Sequence, residues 1–220
     1  MLKTSSQKSS RRKARDSTNP SRKNFLEAVS SELESLRSAE SSSSSSIASS
    51  SSSVASSSSS SFPHACQLLL YTLPGNSHCV DCGEEHPRWA SVSYGTLLCL
   101  KCSGRHRALG VKNSFVRSID MDDWSHSQVI AMLEGGNQQL DAFFERHALS
   151  TTCPTTNRGE NIVEIRYKTK AALFYRNNLA IHVNNVCSMS KYMGREVSRQ
   201  KMPQKGEGGD KKSRRKIAVM

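Results

Sequence analysis

The chain has 220 residues, 35% of them hydrophobic, and a formal net charge of +12. That length allows one or two domains, but a nearly pure serine tract at 41–61 has too little apolar surface to offset the entropy of ordering it. No apolar run approaches the roughly 20 residues needed to span a bilayer, and no apolar stretch near the N-terminus resembles a secretory signal, so the cysteines that fall in pairs point to metal rather than disulfides.

Residues 1–23 carry eight Lys/Arg and one acid, and read as a disordered basic arm. They are rich in Arg and Ser like a transit peptide but lack an apolar helical face. The stretch "NFLEAVSSELESLR" (24–37) places Leu26, Val29, Leu33 and Leu36 at helical spacing, with Asn24 as a possible cap. A helix this short needs a surface to dock on, and a lipid surface is one candidate. The serine linker follows. Order resumes near Cys66 with the apolar run "CQLLLYTL" and the turn "PGNS". "SVSYGTLLC" alternates like a strand with a bend at Gly95, and "SFVRSIDM" reads as another strand. Asp122 or Asp123 is placed to cap a helix with Trp124, Val129, Ile130 and Leu133 on one stripe, ended by Gly135-Gly136. Asn137 then caps a second helix carrying Leu140, Phe143 and Phe144. Residues 150–163 read as loop, "YKTKAALFYRNNLAIHV" (167–183) as a last helix, and the tail beyond Lys191 as basic and disordered. The predicted organisation is a disordered basic and Ser-rich extension over 1–61, a folded domain over 62–190 and a basic tail over 191–220.

Four cysteines fall in the pattern Cys-x2-Cys-x16-Cys-x2-Cys: Cys79, Cys82, Cys99 and Cys102. Each Cys-x2-Cys brings two thiolates to one ion from a single turn, and two such pairs complete a closed tetrahedral S4 shell. Such a shell leaves no position for a reacting water, so the zinc it implies is structural. His78, His86 and His106 are possible ligands on paper, but a complete sulfur set makes them surface or supporting residues. Cys66, Cys153 and Cys187 stand alone and read as core or partly exposed thiols.

The residues around the cysteines carry a resemblance. The pairs are joined by "HPRWASVSYG" and followed by "SGRHRALG", "SFVRSIDMDDW" and "GGN". This string resembles the catalytic zinc module of the Arf GTPase-activating proteins, and "SVSYG", "SGRHR", "SFVRS" and the late "RYKTKAALFYRNNL" resemble their Golgi-type subgroup. The resemblance covers residues 67–182. It implies an α+β fold, a small zinc-finger module with a short antiparallel sheet surrounded by helices. It also implies Arg107 as the catalytic arginine, Trp89 as a residue of the GTPase-contacting site, and an Arf GTPase in its GTP form as partner, with coatomer as a further one. The implied location is cytoplasmic, at Golgi or other trafficking membranes. Arg105 reads as a surface or GTPase-contacting charge. The sequence departs from the subgroup at Lys112 and Asn113, where a histidine and an aliphatic residue usually stand. The subgroup's long C-terminal region with lipid-packing helices is missing, so membrane recruitment falls to the basic tails or to sequence outside this chain.

Two other functions fit parts of the sequence: a nucleic-acid-binding zinc finger, and an adaptor that binds a GTPase without stimulating it. Charge weighs against the first. Residues 62–194 hold 13 basic and 11 acidic residues, so the excess that could track phosphates lies in the tails. Those tails suit an anionic membrane surface.

Overall fold

The computed structural model describes residues 20–43, 61–149 and 162–200. Eight helices and a three-stranded sheet are described there: α1 (Pro20–Ser43), α2 (His64–Thr72), β1 (Trp89–Ser91), β2 (Thr96–Leu98), α3 (Leu100–Ala108), β3 (Val116–Ser118), α4 (His126–Glu134), α5 (Asn137–Arg146), α6 (Ile162–Tyr167), α7 (Lys170–Cys187) and α8 (Arg195–Gln200). This is the mixed fold the sequence predicts, a small sheet enclosed by helices.

The sheet is antiparallel in the order β2-β1-β3, with Trp89 opposite Leu98 on one side and Ser118 on the other. The hairpin between β1 and β2 turns at Gly95, whose φ of +63° is costly for any residue with a Cβ. A second reason also demands glycine. A Cβ at Gly95 would lie 2.4 Å from the Ala131 carbonyl oxygen, and one at Gly135 would lie 2.4 Å from the Gly95 carbonyl oxygen. Backbone thus meets backbone where the hairpin docks on the end of α4, and the Gly136 N–H donates to the Gly95 carbonyl across 2.7 Å.

The core lies between the sheet and the helices, where Leu70, Leu97, Leu98, Val129, Met132, Leu140 and Phe144 are buried. α4 starts at a capping box: the Ser125 side chain accepts from Gln128 N–H, and the Gln128 side chain bonds the Ser125 backbone. The predicted Asp122/Asp123 cap is therefore replaced. Asp122 instead accepts from Ser118 N–H at 2.6 Å. Trp124 precedes the helix and buries its ring, donating its indole N–H to the Ser118 carbonyl at 2.9 Å. Asn137 is also not a cap. Gly136 holds that position, and the Asn137 amide ties β2 to the turn before it, accepting from Leu97 N–H at 2.7 Å and donating to the His78 carbonyl at 2.6 Å.

α1 corrects the expectation of a wholly disordered 1–61 extension. It begins at Pro20, so Asn24 lies inside the helix, and it packs on α2 and α4. Val29, Leu33 and Leu36 are buried there, which replaces the lipid-facing alternative for this stripe with a protein-facing one. Polar contacts lock the docking. The Glu32 carboxylate accepts from Ala65 N–H at 2.9 Å and Cys66 N–H at 3.0 Å, meeting first-turn donors that α2 cannot satisfy itself. Arg37 donates to the Cys187 carbonyl at 2.9 Å and the Met189 carbonyl at 3.1 Å, placing a cation at the negative end of α7. The described fold also runs past Lys191, where the sequence predicts a disordered tail. Tyr192 and Ser198 are buried, and both donate to the buried Glu134 carboxylate, at 2.9 and 3.0 Å. Residues 1–19, 44–60, 150–161 and 201–220 lie outside the described residues, and with them the basic arms, most of the serine tract, Cys153 and most of the predicted 150–163 loop, whose last two positions open α6. Among the described residues, no helix is long and apolar enough to cross a membrane.

Candidate functional site

The four cysteines converge. Their sulfur atoms all lie within 4.8 Å of one another, with Cys82 and Cys99 at 3.5 Å. Zinc–sulfur bonds of about 2.3 Å in a tetrahedron separate the sulfurs by about 3.8 Å, so this set fits such an ion. Three of the four are buried and Cys82 is exposed. The Cys102 thiol, by hydrogen bonding, holds the Cys79 thiol down to about 5 against burial, helped by the N–H groups of Cys99, Cys82 and Asp81. Burial pushes Cys99 up to about 12, and the bond to Cys79 together with burial raises Cys102. Sulfurs this crowded cannot all be charged without a cation among them.

The first knuckle is a tight turn fixed by Gly83 N–H to the Cys79 carbonyl at 2.9 Å and Cys79 N–H to the Glu84 carbonyl at 2.7 Å. Val80 N–H bonds the Leu97 carbonyl at 3.1 Å and attaches this turn to β2. The second knuckle opens α3. Cys99 is its N-cap, and the Cys99 sulfur accepts from Cys102 N–H at 3.4 Å. The cluster therefore both ends β2 and starts α3.

Arg107 lies on the last turn of α3, five residues after Cys102 and exposed. Its guanidinium carbon sits 4.5 Å from the centre of the half-buried Trp89 ring, a cation–π contact. Among the described residues no carboxylate bonds it. Trp89 is held by backbone pairing to both neighbouring strands, so the ring is a fixed platform under the arginine. Beside it, Arg88 pairs with Asp120 through two contacts of 2.5 Å. Arg105 is exposed. The loop at Lys112 and Asn113, where the sequence departs from the subgroup, is clamped to α7: Arg176 donates to both carbonyls, to that of Asn113 at 3.0 Å.

Sequence reasoning missed the network behind this surface. His106, adjacent to Arg107, is fully buried. Its Nε2 meets Asp81 Oδ2 at 2.9 Å, and its Nδ1 meets Ser114 Oγ at 2.7 Å. A carboxylate only accepts, so Nε2 carries a proton. Asp81 also accepts from Tyr167 Oη at 2.9 Å and from Arg166 at 3.4 Å. Arg166, itself buried, reaches Asp141 at 3.1 Å and lies 4.4 Å over the Phe144 ring. Burial and the nearby Asp81 charge raise the Tyr167 phenol well above its usual value. One carboxylate between two cysteine ligands thus joins the first knuckle to α3 and α6, and Arg166 extends the network to Asp141 on α5. His106 is neither a ligand nor a surface residue. The signal in the sequence was weak: an Asp inside a Cys-x2-Cys turn and a His amid arginines. His78 and His86 are exposed.

Comparison with known proteins covers the same part of the chain. The family model ArfGap, described as "Putative GTPase activating protein for Arf", matches residues 65–184. The chain is 41% identical over 111 residues to ADP-ribosylation factor GTPase-activating protein 3 of Pongo abelii, covering 50% of this chain and 20% of that protein. It is 40% identical over 103 residues to ADP-ribosylation factor GTPase-activating protein GCS1 of Saccharomyces cerevisiae, covering 47% of this chain and 29% of that one. These matches accord with the subgroup resemblance, and they span less than a third of either relative. A Cryptosporidium parvum structure described as a "putative GTPase activating protein for ADP ribosylation factor" is similar at 30% identity and a TM-score of 0.46, over 54% of this chain and 88% of that one. The family match takes in more than half of the chain and encloses both cysteine pairs, Trp89, Arg107 and the Asp81 network, so this chain belongs to the ArfGap family.

Proposed function

We propose that this chain stimulates GTP hydrolysis on an Arf-type small GTPase, with Arg107 as the catalytic arginine supplied in trans. The nucleotide belongs to the partner, and the chain needs no nucleotide site of its own. One observation carries the reading above all: an exposed arginine without a carboxylate partner among the described residues, aimed by a helix that starts at the cysteine cluster and rests on a fixed indole ring.

Phosphoryl transfer spreads negative charge over the transferring group and the leaving oxygen. A guanidinium brought against it neutralises that charge, and its planar fork contacts two oxygens at once. Such a residue is worth roughly 10³–10⁵ in rate, or about 4–7 kcal/mol of barrier. A small misplacement forfeits much of this, which gives the rigid mount its purpose. Zinc held by Cys79, Cys82, Cys99 and Cys102 is structural in this reading and takes no part in the chemistry. Held there, it would fix the start of α3, while the Asp81–His106 bond fixes the last turn and Trp89 supports the guanidinium.

Golgi or other trafficking membranes as the cytoplasmic place of action, and coatomer as a further partner, extend the proposal on the subgroup resemblance. The test is hydrolysis of GTP by a soluble Arf with and without the zinc-loaded chain. No stimulation across a range of Arf proteins would refute the reading and leave the adaptor role.

A further inference from the structure

A groove of about 980 Å³ lies on a part of the surface formed by α1, α2, α5 and α8, lined by none of the four cysteines, Trp89 or Arg107. Its volume is at the upper end of the range for ligand sites, about 300–1,000 Å³. The floor is apolar, formed by Phe25, Leu26, Leu69, Leu73 and Met193. Basic residues dominate its lining: Arg22, Lys23, Arg146, Lys191, Arg195 and Arg199 stand against Glu27 and Glu196.

Charge at one end of the groove is only partly balanced. Arg195 and Arg199 both donate to a single neutral acceptor, Gln139 Oε1. Arg199 also reaches the Glu134 carbonyl at 2.9 Å and lies 3.8 Å from its carboxylate, so one buried negative charge, also bonded by His182, Tyr192 and Ser198, stands against the two guanidiniums. Arg195 Nε is buried with no partner. Its terminal nitrogen lies 3.3 Å from where a Cβ on Gly136 would be, against the N-cap of α5. The amino end of this ten-residue helix is itself the positive pole of its dipole. Two guanidiniums at a positive helix end call for an anion with several acceptor oxygens, and a phosphate group is such an anion. Burial and the Arg199 charge lower the Arg195 pKa, as expected of a crowded cation.

The occupant must then be anionic at one end and apolar along its length. The sequence flanking the groove points the same way. α1 enters the groove wall directly after residues 1–19, which carry a net +5, and α8 leaves it directly before residues 201–220, also net +5. Such segments favour an anionic lipid surface at about 1 kcal/mol per basic residue.

We propose that this groove binds an anionic phospholipid from a membrane, the phosphate between Arg195 and Arg199 and an acyl chain along Phe25, Leu69 and Leu73. The test uses the zinc-loaded full chain and phosphatidylcholine vesicles with and without phosphatidic acid. Salt screens exposed charges more than buried ones, so binding at raised salt reports the groove rather than the flanking segments. Wild type binds the phosphatidic acid vesicles at raised salt. Arg195→Gln weakens this at least about tenfold, equivalent to about 1.4 kcal/mol. Met193→Asp, which puts a charge into the floor at a half-exposed position, weakens it similarly while zinc content and thermal unfolding stay as in wild type. Met193→Asp stands as the test where Arg195→Gln fails to fold. The proposal is overturned if wild type releases the vesicles when salt is raised, or if the folded variants bind as wild type does. It is equally overturned if glycerol 3-phosphate displaces the protein fully and Met193→Asp binds normally, the mark of a site for soluble phosphate esters. An acidic amphipathic helical peptide binding the groove of a chain that ignores the vesicles overturns it too.

Discussion

Replacing Asp81 with alanine should cost far more than its surface-like position in a Cys-x2-Cys turn suggests. Its carboxyl is 2% exposed and accepts from His106, Tyr167 and Arg166, which are buried with it. Removing one partner of a buried ion pair leaves the other charged and desolvated, a loss of about 3–5 kcal/mol. Arg166 keeps Asp141 at 3.1 Å, half exposed, which places the expectation near the lower bound, about 3 kcal/mol. Because Asp81 stands between two metal ligands, the same pair is tested from its far side. Arg166→Met leaves the cysteines untouched and takes the guanidinium from the Asp81 carboxylate, which keeps only its bonds from His106 and Tyr167. Urea unfolding of the zinc-loaded single and double variants closes a thermodynamic cycle, in which the double variant should lose less than the sum of the singles by about 0.5–3 kcal/mol. The network also positions α3, so Arg166→Met should lower stimulated hydrolysis although the residue is buried. Additive losses within error, or an Asp81→Ala variant of wild-type stability, would refute the reasoning.

Zinc removal by a chelator should unfold the region around residues 75–120, and Cys99→Ser should do the same; metal analysis showing no zinc in a folded chain would contradict this. Leu33, on the inner face of α1, is 2% exposed, and Leu33→Ala should cost about 2–5 kcal/mol, read as a lower thermal midpoint, while Ser31→Ala on the exposed face should change little. Acid should loosen the α1–α4–α7 junction in two stages. Burial, and then the Arg37 charge, hold the His126 pKa below 6.5, with Glu40 opposing them. The unfolded chain therefore takes up that proton first, and this contribution, present above about pH 6.5, is lost as pH falls through the folded value. Glu134 follows at lower pH. Burial raises its pKa, but hydrogen bonds from His182, Tyr192 and Ser198 outweigh that and leave it depressed, so its contribution is lost as pH falls below the ordinary carboxylate range. Urea midpoints measured between pH 7.5 and 5.5 should show a slope that His126→Gln reduces; an unchanged slope would refute the assignment.

What the sequence made legible was local. The cysteine spacing, the Gly95 hairpin and the Gly135-Gly136 stop are each written within a few residues, and the structure shows all three. The misplaced caps came from competition between equally local candidates: Asp122 and Asp123 fit the start of a helix, but Ser125 with Gln128 makes both halves of a capping box. The α1 stripe was visible as a helix pattern, whereas its docking surface lies 33 residues or more away and across the serine tract, as with Glu32 and Ala65. The Asp81 network was hidden for the same reason. Its bonds join residues 25 and 86 positions apart, and no periodicity records such a meeting. Arg107 was placed by resemblance, and only the structure brings Trp89 beneath it.

The most direct test of the central claim is Arg107→Lys in the zinc-loaded chain, assayed for stimulated GTP hydrolysis and for Arf binding side by side. Lysine keeps the charge but loses the planar fork. The account predicts unchanged zinc content and stability, Arf binding reduced far less than hydrolysis, and stimulation lower by about 10³-fold or more. Near-normal stimulation by the lysine variant would contradict it, and Arg107 would not be the catalytic arginine.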